Sequence, residues 1–423
     1  MTAQPPDPHQ REALPGEEDF RRQVLDFLRA TLPPNAGEPS GVVSFGGAGL
    51  SRSVAYQRQL ADAGLAGITW PAEYGGRGLP ERFQRIYDRE AKAFRIPPRS
   101  LEVGLSICGP TLLTHAGEEQ KKAFLPSLLR GDHVWCELFS EPGAGSDLSS
   151  LQTRARRDGD VFVLDGQKVW TSGAQHSDFA ACLVRTDSTR PKREGITMVI
   201  VDMHAPGVTV RPLRQITGET HFYEVFLDEV RVPVANVVGE VNDGWRVART
   251  MLAFERQALG NVGGGGGGGG FTALVEEAER RDLVSRPVLR DHLVQLRIRQ
   301  LVLRYLSAYL QVKAKAPGGD GAAASLLKLA MAQLVQESAL VGVEASGLHA
   351  IAWDPREPAG RRSSDQLLGS QSASIGGGTN QIVRNVIAER ALGLPRDTEG
   401  DLMPGDLDGH HAGESVAGPR SAR

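Results

Sequence analysis

The chain has 423 residues, 40% of them hydrophobic and 23% charged, with 48 basic against 51 acidic residues and a formal net charge of -3. It is long enough for two or three buried cores and offers no electrostatic attraction for nucleic acid or an anionic membrane. No stretch approaches the roughly eighteen apolar residues of a membrane span. Cys108, Cys136 and Cys182 are too few and too scattered for a disulfide framework or a zinc site, so they read as small buried hydrophobes in a reducing cytoplasm, with no metal.

In chain order, residues 1–17 are polar, rich in proline and without the apolar core of a signal peptide, and read as disordered. Phe20, Val24, Phe27 and Leu28 then recur at helical spacing. Helical patterning runs with breaks to Gly131, giving a helical domain over 18–131 and a structured loop at 69–78, where Pro71 and three glycines interrupt it. Between 132 and 240, short runs rich in Val, Ile and Phe at 161–164, 179–184, 196–201, 208–210 and 222–227 predict an antiparallel β domain. Tight hairpin turns are expected at Asp158-Gly159 and Asp165-Gly166. Helical patterning resumes at Trp245 and lasts to Leu394, a bundle over 241–396. Residues 397–423 read as a disordered tail in which His410-His411 is solvated. The order of helices, β domain, helices is α+β and excludes a simple Rossmann or barrel chain.

Eight consecutive glycines at 263–270 interrupt the bundle. At about 1 kcal/mol each against Ala they oppose helix by roughly 8 kcal/mol, which predicts a break or a hinge unless packing holds the segment straight. An insertion within one bundle fits the flanking pattern better than a linker between domains.

Two segments carry chemistry. In Trp135-Cys136-Glu137-Leu138-Phe139-Ser140-Glu141-Pro142-Gly143-Ala144-Gly145-Ser146-Asp147, the glycines let the backbone approach a ligand, and Ser140 and Ser146 add hydroxyl donors. By itself this also reads as a plain loop. In Gly166-Gln167-Lys168-Val169-Trp170-Thr171-Ser172, a flat indole precedes a hydroxyl by two residues, as a planar cofactor would need, although a lone Trp reads equally as a core aromatic.

Together these segments resemble the acyl-CoA dehydrogenase family. Residues 140–147 match its Thr/Ser-Glu-Pro-Gly-Ala-Gly-Ser-Asp stretch, and 166–172 match Gly-x-Lys-x-Trp-Ile/Thr-Thr/Ser. Similar too are Thr69-Trp70-Pro71 with Tyr74-Gly75-Gly76, His115-x-Gly117 with Gln120-Lys121 and Phe124-Leu125-Pro126, Val230-Arg231-Val232-Pro233, and Gly378-Thr379-Asn380-Gln381-Ile382. The resemblance covers about residues 18–396. It implies an N-terminal helical domain, a middle antiparallel β domain and a C-terminal four-helix bundle. It further implies FAD held between subunits of a homodimer or homotetramer, an acyl-CoA or carrier-bound acyl substrate, and an electron-transfer flavoprotein as acceptor.

The same resemblance implies residue roles. Ser140 would face the flavin pyrimidine edge beside Leu138 and Phe139, with Gly145 in the same cofactor loop. Trp170 would lie against the isoalloxazine next to Thr171, and the Ser172 hydroxyl would bond flavin N5. Ser146 would meet the thioester or the pyrophosphate. Thr379 and Gln381 would hold the dinucleotide, and Arg256 and Gly378 would meet substrate.

Dehydrogenation at Cα–Cβ needs a carboxylate to remove the α proton while a hydride leaves Cβ for the flavin. Many members carry it in Tyr-Glu-Gly-Thr near the C-terminus, but here Ile375-Gly376-Gly377-Gly378-Thr379 puts Gly377 at that place. A smaller branch, including isovaleryl- and long-chain-type dehydrogenases, supplies it from the first bundle helix just before an arginine, which Phe254-Glu255-Arg256 resembles. Helical spacing places Val247, Ala248, Met251, Leu252, Ala258 and Leu259 on the Glu255 face and Arg246, Arg249 and Arg256 opposite. Burial there would raise the Glu255 pKa towards that of a working base, whereas an ion pair with a neighbouring helix would make the residue structural.

Two features depart from the family. Arg280-Arg281-Asp282-Leu283-Val284 replaces its Arg-x-x-Phe-Gly, and the glycine run falls where the family builds the floor of its acyl pocket. Three readings follow. The first is oxidation of an acyl-CoA to the trans-2-enoyl-CoA. The second is a flavin oxidase or monooxygenase of the same fold. The third is a noncatalytic partner chain in a heterotetramer.

Overall fold

The computed structural model describes residues 14–35, 47–314, 322–352 and 358–395. Residues 1–13 and the tail from 396, with its histidine pair, lie outside the described residues.

Glu17, Glu18 and Asp19 complement the helix dipole at the start of α1 (Glu17–Thr31), which buries Phe20, Val24 and Leu28. Those side chains meet α3 (Glu81–Ala91), where Phe20 stands edge-on to Phe83 at 5.1 Å. With α2 (Gly47–Asp62), α4 (Gly109–His115) and α5 (Glu118–Arg130) they form the N-terminal layer, and α5 stops at Gly131, left-handed at φ +77°. A π-helical turn, Val103–Cys108, faces the C-terminal helices.

The middle region is one sheet of eight strands: β1 (Trp135–Leu138), β2 (Arg154–Asp158), β3 (Val161–Ser172), β4 (Phe179–Arg185), β5 (Ile196–Asp202), β6 (Val208–Leu213), β7 (Phe222–Pro233) and β8 (Val237–Val238). Its order is β6-β7-β3-β2-β4-β5-β8, with β1 on β4. Pairing is antiparallel except that β1 runs parallel to β4 and one β2 residue meets β4 in parallel. The Asp158-Gly159 turn forms as expected, with Asp158 paired to Val161 and Gly159 at φ +61°.

The turn expected at Asp165-Gly166 does not form. Both residues lie inside β3, at a register shift where β7 carries the extra residue and Glu229 adopts φ +52°. Gly166 is there for close approach: a Cβ on it would stand 2.4 Å from Thr153 Oγ1.

The C-terminal helices are α6 (Gly244–Arg280), α7 (Pro287–Ala314), α8 (Ala322–Ser346), α9 (Pro358–Ser370) and α10 (Asn380–Arg390). The break predicted at the glycine run is absent, since α6 is continuous for 37 residues. Burial on both sides outweighs the propensity cost. Val247, Ala248, Met251 and Ala258 sit in the core shared with β1 and the π turn, and Ala278 sits with Leu289, Leu293, Leu296 and Val341. Each large apolar side chain buried contributes about 1.5–3 kcal/mol.

One further expectation needs correcting. The segment Ser325–Ala350 has a mean hydropathy of 1.3 and is long and apolar enough to cross a membrane. It contains most of α8, which packs against α6, α7, α9 and α10.

Candidate active site

A cleft of about 3510 Å³ opens between the sheet and the bundle, several times the roughly 300–1,000 Å³ of a typical small-molecule pocket. Its sheet side carries Phe139, Ser140, Gly145, Ser146, Trp170 and Ser172, and its bundle side carries Glu255, Arg256, Lys328, Gly377, Gly378 and Thr379. Segments more than eighty residues apart in sequence therefore share one space.

A buried ion pair builds the sheet side. Lys168 on β3 is 0% exposed, and its ammonium donates to Glu141 Oε1 at 2.8 Å, Phe139 O at 3.1 Å and Leu183 O at 2.7 Å. Glu141 also accepts the Gln152 and Thr153 N–H groups at 2.6 and 2.9 Å. Burial opposes its charge, but the Lys168 ammonium and these hydrogen bonds hold its carboxyl below the usual range. Glu141 thus shapes the loop, as does Asp147. Hydrogen bonds from Ser150, Ser149 and Lys192 hold the Asp147 carboxyl down to about 2.

Trp170 sits at a second register shift of β3 against β7, where three β3 steps oppose two on β7. The extra residue puts Trp170 at φ +63°, a strained conformation for a bulky side chain, and leaves its indole 59% exposed in the cleft wall. Among the described residues the hydroxyls of Ser140, Ser146 and Ser172 have no hydrogen-bond partner, and Gly145 has open space where a Cβ would stand. A flat uncovered indole, free hydroxyls and an open backbone fit a large planar group with polar edges.

On the bundle side, Glu255 stands where its apolar stripe meets the cleft. Burial pushes its carboxyl up, against the lowering charges of Arg256 and Lys328. Facing it from β1 is Glu137. Strand alternation turns Cys136 and Leu138 into the sheet core and Glu137 towards the cleft. Burial, and then the Glu255 charge, drive the Glu137 carboxyl well above its ordinary value. A group raised in the folded state binds its proton there while the unfolded chain has released it, so stability falls as pH rises above the unfolded value. Glu137→Gln is therefore expected to stabilise the protein, and more at pH 8 than at pH 5, as urea unfolding at both pH values would measure. A stability difference independent of pH would contradict the buried carboxyl.

The structure does not bring every expected residue to the cleft. Leu138 is fully buried in the sheet core, and Thr171 is 1% exposed with its hydroxyl unpartnered among the described residues, because alternation along β1 and β3 turns both side chains away. Gln381 is exposed on α10 outside the cleft lining, while Thr379 lines the cleft and caps α10 by accepting the Ile382 N–H at 3.2 Å. Arg246, Arg249 and Arg256, expected opposite the Glu255 face, line the same cleft. Glu137 and Lys328 escaped sequence reading. Reading 135–138 as loop hid the strand alternation that exposes Glu137, and a single lysine on an apolar helix carries no signal of its partners.

Comparison with known proteins follows this geometry. Family profiles described as acyl-CoA dehydrogenase N-terminal, middle and C-terminal domains match residues 15–132, 136–230 and 242–392. The acyl-CoA dehydrogenase FadE34 of Mycobacterium tuberculosis is 41% identical over 345 residues, covering 80% of this chain and 46% of its own, so the chain spans about half of that relative. The acyl-CoA dehydrogenase IpdE1 of the same species is 35% identical over 392 residues, covering 90% of this chain and 99% of its own. Among solved structures, one described as the Tcur3481-Tcur3483 steroid ACAD superposes with a TM-score of 0.76 at 31% identity, over 90% of this chain and 98% of that one.

Proposed function

Because the chain belongs to the acyl-CoA dehydrogenase family of FAD-dependent flavoprotein oxidoreductases, we propose that it removes two hydrogens from Cα and Cβ of a bulky acyl thioester, with Glu255 as the base. The observation carrying this reading is the place of Glu255, on the wall of the cleft that also presents Trp170, Ser140 and Ser172. Gly377, where many members have their glutamate, lines the same cleft without a carboxylate.

Bound FAD supplies the two-electron acceptor for the β hydride. Trp170 and Phe139 offer it apolar surface, and Ser140, Ser146 and Ser172 offer hydroxyls to its polar edges. Gly377 and Gly378, left-handed at φ +67° and +91°, have backbone N–H groups without a partner among the described residues. They are available to the thioester carbonyl, where a hydrogen bond acidifies the α proton that Glu255 then accepts. Arg256, its charge disfavoured by burial, stands beside the base and is available to the anionic carrier. Collecting these groups in one chain supports a catalytic subunit over a silent partner.

The size of the acyl group is argued from the cleft. Its volume leaves room beside a dinucleotide, and Gly270 at the end of the side-chain-free stretch of α6 lines it with open space where a Cβ would stand. The relationship to a steroid enzyme points the same way, towards a fused-ring acyl group. Gly270→Phe is expected to lower kcat/KM about tenfold or more for a ring-bearing acyl-CoA, the scale of misfit in an apolar pocket, and to spare a short linear one. Equal effects on both substrates would remove the bulky-acyl reading.

Assembly is part of the proposal. Val294, Ile298, Val302, Tyr305 and Tyr309 form an exposed apolar stripe at helical spacing on α7, which supports burial against another subunit, either a copy or a related chain. We assign residues 18–131, 132–240 and 241–396 as its domains, electron-transfer flavoprotein as its acceptor, and the cytoplasm, where three buried free thiols stay reduced, as its location.

A further inference from the structure

Lys328 is 3% exposed on a helix rich in apolar residues, where an ammonium is expensive unless it is used. Two of its three N–H groups are accounted for: they donate to the Gly378 carbonyl oxygen at 2.6 Å and to Asn380 Oδ1 at 3.1 Å. The third has no partner among the described residues. The first bond ties α8 to the glycine turn whose N–H groups at 377 and 378 are free, and the second ties it to the first residue of α10. Lys328 lines the cleft together with Glu255, and opposite charges attract across that space.

We propose that Lys328 is a positioning residue for the base: it clamps the Gly377-Gly378 turn to α8 and places a cation on the cleft wall it shares with Glu255. This rests on the reading of Glu255 as the base. One cation thereby couples two requirements of α-proton removal, a fixed donor turn for the thioester carbonyl and an ionised acceptor for the proton. Among the described residues the charged groups interacting around Glu255 are Arg256 on its own helix, Lys328 from α8 and Glu137 from β1, while Arg390 on α10 acts on Arg256. Burial favours the neutral forms of both Lys328 and Glu255, and the charge of each favours the ionised form of the other. Loss of the ammonium therefore moves the base in one direction only, towards protonation at a higher pH.

The test is the pH profile of kcat/KM for the flavin-loaded enzyme with an acyl-CoA that it turns over. Lys328→Met is expected to move the acid limb upward by about one pH unit, the lower end of the effect of an adjacent opposite charge, and to raise KM as the turn loosens. Lys328→Arg, which keeps the charge but not the compact geometry, should leave the limb in place while KM stays raised. Should Lys328→Met not fold, Lys328→Gln removes the charge, retains a donor for the Gly378 carbonyl and carries the same test. An unmoved acid limb in the neutral variants, with Glu255→Gln inactive, would overturn the role of Lys328 and leave the base assignment standing. A Glu255→Gln enzyme with undiminished turnover would overturn the base assignment itself.

Discussion

Glu255→Gln in the flavin-loaded enzyme should lower kcat by about 10²–10⁴-fold, the usual contribution of a positioned general base. Its Tm and flavin content should match those of the parent or exceed them. The substitution is nearly isosteric and removes a carboxyl that burial disfavours in the charged form. No neighbour replaces it. Among the described residues Glu137 is the carboxyl facing it, and burial, the larger cause of its raised pKa, still favours its protonated form once the Glu255 charge is gone. In the parent enzyme the working form is the carboxylate, so kcat/KM falls as pH drops through the folded pKa of Glu255. That pKa lies above the usual carboxylate value, and the acid limb should appear at a higher pH than an exposed glutamate would give. A Gln variant within about tenfold of the parent in kcat would sink the assignment.

Lys168→Met should have the largest effect on stability. It leaves the Glu141 carboxylate, whose side chain is 8% exposed, without its cation, and breaking one side of such a buried pair costs about 3–5 kcal/mol. The loop carrying Ser140 to Ser146 also loses the donor to Phe139 O, so flavin affinity should fall along with the urea midpoint. A Lys168→Met/Glu141→Gln double variant should recover part of the loss, since it buries no uncompensated charge. Unchanged urea midpoints and flavin retention in Lys168→Met would show that the pair contributes nothing to the loop.

Much of this architecture was legible in the sequence because period and punctuation agree with the fold. Phe20, Val24 and Leu28 mark α1, the Val-rich runs mark β3 to β7, and Gly131 ends α5. The exceptions are positions where tertiary contacts outvote local preference. The glycine run is helical because the cores on either side hold α6. Asp165-Gly166 reads as a turn but is a strand irregularity closed around Thr153, and the polar segment Arg154–Asp158 becomes β2 because β3 pairs with it. The site followed the same pattern. Glu255 could be reached through helical spacing and resemblance. Glu137 and Lys328 could not, because their significance lies in meeting Glu255 from β1 and α8, which no local sequence pattern encodes.

The central claim, α-proton removal by Glu255 coupled to flavin reduction, is tested most directly by anaerobic mixing of the flavin-loaded protein with a ring-bearing acyl-CoA while the flavin absorbance is followed. The wild-type enzyme is predicted to bleach with one equivalent and yield the enoyl thioester, and Glu255→Gln to stay yellow. Bleaching at the parental rate in Glu255→Gln would contradict the account.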